Sequence, residues 1–176
     1  KTMVLAQQLY EGLDIGEEGT VGLITYMRTD SVNLSQTALD QAKNVISEIF
    51  GKNYNLEKPR YFKSGKSAQE AHEAIRPANL ELTPNQIEKY LNKDQYNIYE
   101  LIWKRTIACQ MKEAVLDRVA VDIENDNKKY TFRATGQTIK FPGFMKAYIE
   151  DLDEKNEEED NEEKILPQFK EGEVVD

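Results

Sequence analysis

The feature that most limits what this chain can fold into is a change of hydrophobic period near residue 112. Upstream, apolar residues recur at three- and four-residue steps, the spacing that lines one face of a helix. Downstream they alternate, as on a half-buried strand. Val115, Val119, Val121 and Ile123 form one such run, and Tyr130, Phe132 and Ala134 another, with Asn125-Asp126-Asn127 between them. That pattern predicts a β-hairpin. Gly136 interrupts the second run, so a third extended piece is expected over Thr138 to Phe144. Helical and strand periods kept in separate parts of a chain read as an α+β fold. We place the boundary at the change of period: a mainly helical domain over 1–112 and a β-rich segment over 113–176.

Within the first part, Thr2 to Tyr10 reads as a helix, with Met3, Ala6, Gln7 and Tyr10 at helical spacing and Gly12 as its stop. Leu13 to Thr20 reads as a loop. The clearest helix runs from Ser35 to Phe50, with a stripe of Ala38, Ala42, Val45, Ile46 and Ile49. Ser35, Asn33 or Ser31 can cap its start, and Gly51 can close its end in the left-handed conformation. Thr83-Pro84 opens a short helix whose apolar face is Ile87, Tyr90 and Leu91. Asp94 is expected to cap a longer one reaching about Met111. Its stripe of Tyr96, Tyr99, Ile102, Trp103, Thr106, Ile107 and Gln110 reads as core rather than as a base-stacking platform, and Cys109 as a packing residue.

Between the first two helices lies Gly22-Leu23-Ile24-Thr25-Tyr26-Met27-Arg28-Thr29-Asp30-Ser31. As a strand it would put Val21, Leu23 and Met27 on one face, and Ile24, Tyr26, Arg28 and Asp30 on the other. Tyr26 and Arg28 would then converge on one point. A tyrosine there has two readings: a packing residue whose hydroxyl finds a partner, or a nucleophile beside a guanidinium whose planar fork matches phosphate oxygens. The short link to the helix at Ser35 would also bring free N–H groups toward a phosphate, or is an ordinary strand-to-helix turn.

His72, the single histidine, lies in Ser67-Ala68-Gln69-Glu70-Ala71-His72-Glu73-Ala74-Ile75-Arg76-Pro77. Ser67 and Glu70 have capping-box spacing, and Pro77 ends or prevents helix at Arg76. An imidazole can move a proton or bond a phosphate, or simply pack. Asn53 to Lys66 is irregular and mixes Lys58, Arg60, Lys63 and Lys66 with Tyr61 and Phe62. That mixture suits either a solvated loop or nucleic-acid contact.

The formal charge of −9 looks wrong for a nucleic-acid protein. Its distribution removes the objection. Glu150 to Glu163 holds ten acidic residues and one lysine, which accounts for the whole excess and leaves a neutral body able to carry a local basic face. The run itself, of low complexity, is expected to be disordered or a mobile loop. One cysteine excludes an internal disulfide and a zinc site built from several cysteines, and fits a reducing compartment. The start of the chain has no secretory pattern, and no apolar run approaches the ~18 residues of a membrane span. Val174-Val175-Asp176 reads as the beginning of a further strand, so the chain reads as part of a larger protein.

Two stretches taken together resemble a known family. Residues 22–31 resemble the active-site segment of the type IA DNA topoisomerases, and Ala68 to Pro77 resembles the second signature of that family, in the same order and at a similar separation. Leu101-Ile102-Trp103 through Met111 resembles the helix that follows, and Gly16 to Thr20 a longer loop of some bacterial members. Met27 and Glu73-Ala74-Ile75-Arg76-Pro77 look closer to bacterial topoisomerase I than to topoisomerase III or reverse gyrase.

The resemblance implies that Tyr26 is the nucleophile that cuts one DNA strand through a 5′-phosphotyrosyl bond. It implies that Arg28 engages the scissile phosphate and that His72 contacts phosphate nearby. It further implies a monomer acting on single-stranded and negatively supercoiled DNA in the bacterial cytoplasm, at the nucleoid. Mg²⁺ would be bound by an acidic cluster in a Toprim domain that no stretch here resembles, so no metal ligand is expected among these residues and the segment alone would be inactive. Lys63 and Lys66 are expected DNA contacts. A non-catalytic single-stranded-DNA-binding module and a scaffold domain are the alternatives, distinguished by whether binding depends on Tyr26 and Arg28.

Overall fold

The computed structural model describes residues 1–63 and 72–149, together with Gly172 and Val174. The acidic run at 150–163, the Ser67/Glu70 capping box and Lys66 lie outside the described residues. The chain divides into two compact units, Lys1–Lys112 and Glu113–Asp176.

The first unit is held by a core of Leu9, Leu23, Ile46, Leu80, Tyr99 and Ile107, all essentially inaccessible to solvent. Helix α1 (Thr2–Glu11) packs on α4 (Lys93–Cys109), tied at its surface by Gln95 Nε2 to Gln8 Oε1 at 3.1 Å and by Lys1 to Asp94 at 2.6 Å. The buried face of α1 is Ala6 and Leu9: of the expected row of Met3, Ala6, Gln7 and Tyr10 only Ala6 is buried, and Met3 and Tyr10 face outward. A small hairpin, β1 (Leu13–Asp14) with β2 (Thr20–Val21), replaces the expected loop, and one turn of tighter helix at Gly16–Glu18 closes it.

Helix α2 (Gln36–Val45) starts where Ser35 caps it, its Oγ accepting from the Ala38 N–H at 3.4 Å. Its last turn, Ile46–Phe50, is widened, with the Gly51 N–H bonded to the Ile46 carbonyl five residues back. The widened turn advances the helix by less than the usual angle per residue. It carries Ile49 out of the expected stripe to 44 % exposure. Gly51 has φ +105° and ψ 153°, a region essentially reserved for glycine rather than the left-handed helical cap.

Helix α3 (Pro84–Ile87) carries the Thr83–Gln86 capping box. On α4 the cap is Asn92, not Asp94: Asn92 accepts from the Gln95 N–H while Gln95 reaches back to the Asn92 N–H, both at 3.0 Å. Asp94 sits in the first turn, where a carboxylate favours the helix dipole. Tyr99, Trp103, Thr106, Ile107 and Gln110 of the expected stripe are buried, Tyr96 and Ile102 half-buried, with the Tyr99 hydroxyl donating to the Leu82 carbonyl and the Trp103 indole to that of Leu80.

The second unit contains one long antiparallel pair, β3 (Val115–Glu124) and β4 (Thr131–Phe141). Gly136 does not break β4; it pairs with Val119, so no separate third piece forms. A strand tolerates glycine when the partner strand supplies the ladder bonds on either side. Asn125 Oδ1 caps the connecting turn by accepting from the N–H groups of Lys129 and Tyr130. Arg133 and Asp122, directly opposed, form a two-pronged pair at 2.6 and 2.8 Å. That pair holds the Asp122 carboxyl below its ordinary range and the Arg133 guanidinium above its own. Beyond β4 the chain turns into the short helix α5 (Lys146–Ile149).

Candidate active site

The tyrosine segment is extended but is not a regular strand. It is held as a splint between the end of α1 and the segment that carries the histidine. The Leu23 N–H donates to the Leu9 carbonyl at 2.7 Å. On the other edge the Thr25 N–H donates to the Arg76 carbonyl, the Ala78 N–H donates to the Leu23 carbonyl, and Ile24 forms an isolated bridge with Pro77. Ile24 is therefore buried with Leu23 and does not share the face of Tyr26 and Arg28. From Thr25 onward the expected alternation appears: Thr25 and Met27 are partly covered, and Tyr26 and Arg28 are exposed.

The Thr25 hydroxyl fastens the two signatures. It donates to the Ala74 carbonyl at 2.7 Å and accepts from the Arg76 N–H at 3.0 Å. The Ala74 N–H donates to the Asn33 carbonyl, which ties the histidine segment to the start of α2 as well. Arg76 serves the backbone. Its guanidinium pairs with Glu73 and donates to the carbonyls of Pro77 and Ala78, which occupies the side chain within its own segment.

Around Tyr26 three groups converge. The Arg28 guanidinium carbon is 5.7 Å from the Tyr26 ring centre, the His72 ring is 6.3 Å away, and the Tyr10 ring meets it edge-on at 5.2 Å. Tyr26 keeps 44 % of its surface exposed. His72 is partly covered, with Nδ1 3.3 Å from Asp30 Oδ2. A carboxylate can only accept, so Nδ1 carries the hydrogen in that contact and Nε2 takes no part in it. The second oxygen of Asp30 is buried and meets no hydrogen-bond donor among the described residues.

Tyr26, Arg28 and His72, singled out in the sequence, are thus brought together. Tyr10, Thr25 and Asp30 complete the arrangement and were not assigned roles there. Asp30 was placed on the face of Tyr26 and Arg28, but a partner forty-two residues away leaves no local trace. Lys63 is exposed at the edge of the described residues. Arg60 is pinned to the end of α4: its side chain donates to the Cys109 carbonyl, and Gln110 bonds both its N–H and its C=O. A pocket lined by Gln36, Leu39, Asp40, Lys43, Asn55 and Gln110, among others, includes none of the residues around Tyr26.

Among the described residues no three His, Cys, Asp or Glu side chains are grouped so as to hold a metal ion. These residues do not form a site for the Mg²⁺ the resemblance implies. Among the described residues, no helix is long and apolar enough to cross a membrane.

The whole chain, residues 1–176, matches the family model described as DNA topoisomerase. It is 53% identical over 174 residues to DNA topoisomerase 1 of Rickettsia bellii, covering 98% of this chain and 21% of that protein. It is 50% identical over 176 residues to DNA topoisomerase 1 of Xylella fastidiosa, covering 99% of this chain and 22% of that protein. The structure of full-length topoisomerase I from Thermotoga maritima superimposes with a TM-score of 0.71 at 42% identity, over 84% of this chain and 23% of that one. The chain thus spans under a quarter of the length of these relatives. With the model matched from end to end, the chain belongs to the DNA topoisomerase family.

Proposed function

We propose that this chain carries the tyrosine-bearing half of a type IA topoisomerase active site, in a helical domain over 1–112 followed by part of a β-rich arch. Tyr26 Oη attacks a phosphodiester in one DNA strand. The Oη–P bond forms as the P–O3′ bond breaks. The phenolic proton is released, the departing strand end takes up a proton to become a 3′-hydroxyl, and the other end stays on the protein as a 5′-phosphotyrosyl ester. One phosphodiester replaces another, so attack by the 3′-hydroxyl reseals the strand without ATP. Passage of the second strand before resealing relaxes negatively supercoiled DNA.

Arg28 neutralises the charge that gathers on the phosphorus oxygens, and its fork can hold two of them at once. His72, oriented by Asp30, offers Nε2 to the phosphate or for proton exchange. Lys63 and Lys66 contact the DNA backbone. The protein acts as a monomer in the bacterial cytoplasm, at the nucleoid, and Mg²⁺ is bound by residues outside this stretch.

The observation that carries this reading is an exposed tyrosine set between a guanidinium and an imidazole on a splint that both signature segments build. The test is a full-length enzyme carrying this segment with Tyr26→Phe. It should bind a single-stranded oligonucleotide as before and yield no covalent peptide–DNA adduct by mass spectrometry. An adduct at the parental level removes Tyr26 from the role.

A further inference from the structure

Tyr10 sits in the last turn of α1, one residue beyond the fully buried Leu9, and is 41 % exposed. A tyrosine on a wet helix face is ordinarily free to sample several rotamers. Here its ring meets the Tyr26 ring at 5.2 Å with an interplanar angle of 64°, the edge-to-face geometry that the aromatic quadrupole favours.

The backbone beneath the pair is built to keep it together. The Leu23 N–H is bonded to the Leu9 carbonyl at 2.7 Å. A Cβ at Gly22 would lie 2.8 Å from the Tyr10 carbonyl oxygen, so only glycine lets the segment come this close to the helix end. The contacted atom is backbone and cannot swing aside.

Of the three groups around Tyr26, Arg28 and His72 are the ones the proposed function assigns to the phosphate. Tyr10 has no such competing demand. Its ring can stay against Tyr26 throughout and limit the rotations open to the phenol. We infer that Tyr10 is a positioning residue, a fixed wall that holds the Tyr26 ring in the orientation from which its hydroxyl reaches the phosphorus. The inference rests on the reading of Tyr26 as the nucleophile. Pre-set orientation of a reacting atom is a large part of catalysis, and a displacement of about 1 Å can cost about a hundredfold in rate.

The test uses a full-length enzyme carrying this segment, with Tyr10→Leu, Tyr10→Phe and, as a control, Tyr26→Phe. Single-turnover cleavage of a labelled single-stranded oligonucleotide gives the rate, and its Kd for the uncleaved oligonucleotide gives binding. Tyr10→Leu should slow cleavage by about tenfold to a hundredfold, with Kd within about twofold. Tyr10→Phe, which keeps the ring, should restore the rate. Parental cleavage by Tyr10→Leu overturns the inference. So does a loss of binding that matches the loss of rate, which would make Tyr10 a stacking contact for a base. So does a Tyr10→Phe enzyme as slow as Tyr10→Leu, which would assign the effect to the hydroxyl. If Tyr26→Phe still forms the adduct, the nucleophile assignment fails and this inference with it. If Tyr26→Phe forms none while Tyr10→Leu is unimpaired, only the present inference fails.

Discussion

The Thr25 hydroxyl oxygen lies 3.0 Å from the backbone nitrogen of Arg76, fifty-one residues further along the chain. With its bond to the Ala74 carbonyl, this one side chain locks the residue before Tyr26 to the segment that carries His72. Thr25→Val keeps the shape and removes both bonds, leaving the Arg76 N–H unpaired in a part-buried place. Stability should fall by about 1–3 kcal/mol. Thermal unfolding followed by circular dichroism should show the melting temperature drop by several degrees, and Thr25→Ser should recover most of it. A Thr25→Val protein as stable as the parent would mean the clasp contributes nothing.

Arg28 stands over the face of Tyr26 with its guanidinium carbon 5.7 Å from the ring centre. Arg28→Lys keeps the charge but loses the planar fork and the stacking surface. Cleavage of a single-stranded oligonucleotide by the full-length enzyme should slow by about tenfold or more. An unchanged single-turnover rate would show that charge alone is what the site uses.

Asp30 and His72 act as a unit if the 3.3 Å contact between them orients the imidazole. Asp30→Asn should reduce the cleavage rate by about tenfold. Adding Asp30→Asn to His72→Gln should cost almost nothing more, because the partner it orients is already gone. Rate effects that simply multiply in the double variant would show that the two act independently.

Two acids of the first unit, the buried Tyr99 and the half-buried Cys109, should make its stability fall at alkaline pH. Burial holds the Tyr99 phenol well above its ordinary value of 10.0 and pushes the Cys109 thiol above its ordinary 9.0. Both groups are neutral in the folded chain over a range in which the unfolded chain ionises. Stability from this source is complete below the unfolded values and declines as pH rises through them toward the folded ones. Urea midpoints measured from pH 7 to 11 should fall above about pH 9, and Cys109→Ala should move the onset upward. For the same reason Cys109 should react with iodoacetamide more slowly in the folded protein at pH 8 than in urea. Equal rates would place the thiol in solvent.

The helices and the hairpin were legible in the sequence because their signals are local. Ser35, the Thr83-Pro84 pair, the aromatic stripe of α4 and the Asn-rich turn all act within a few residues of where they stand. The strings around Tyr26 and His72 were legible as well, since their residue identities are contiguous. What failed locally failed for a reason in each case. Ile49 left its stripe because a widened turn changed the phase, and Ile24 went inside because Pro77 pairs against it. Asn92 displaced Asp94 as a cap because a second cap-forming residue stood two places earlier.

By itself, then, the sequence determined the main helices and the long hairpin, the caps at Ser35 and Thr83, and the short strings around Tyr26 and His72 that match the family. Tertiary structure alone decided that Thr25 clasps Ala74 and Arg76, that Asp30 faces His72, and that Tyr10 leans on Tyr26. Period and propensity describe how a side chain sits on its own element. Which element arrives opposite it depends on the path of the chain between them, and that path is set by burial of the shared core.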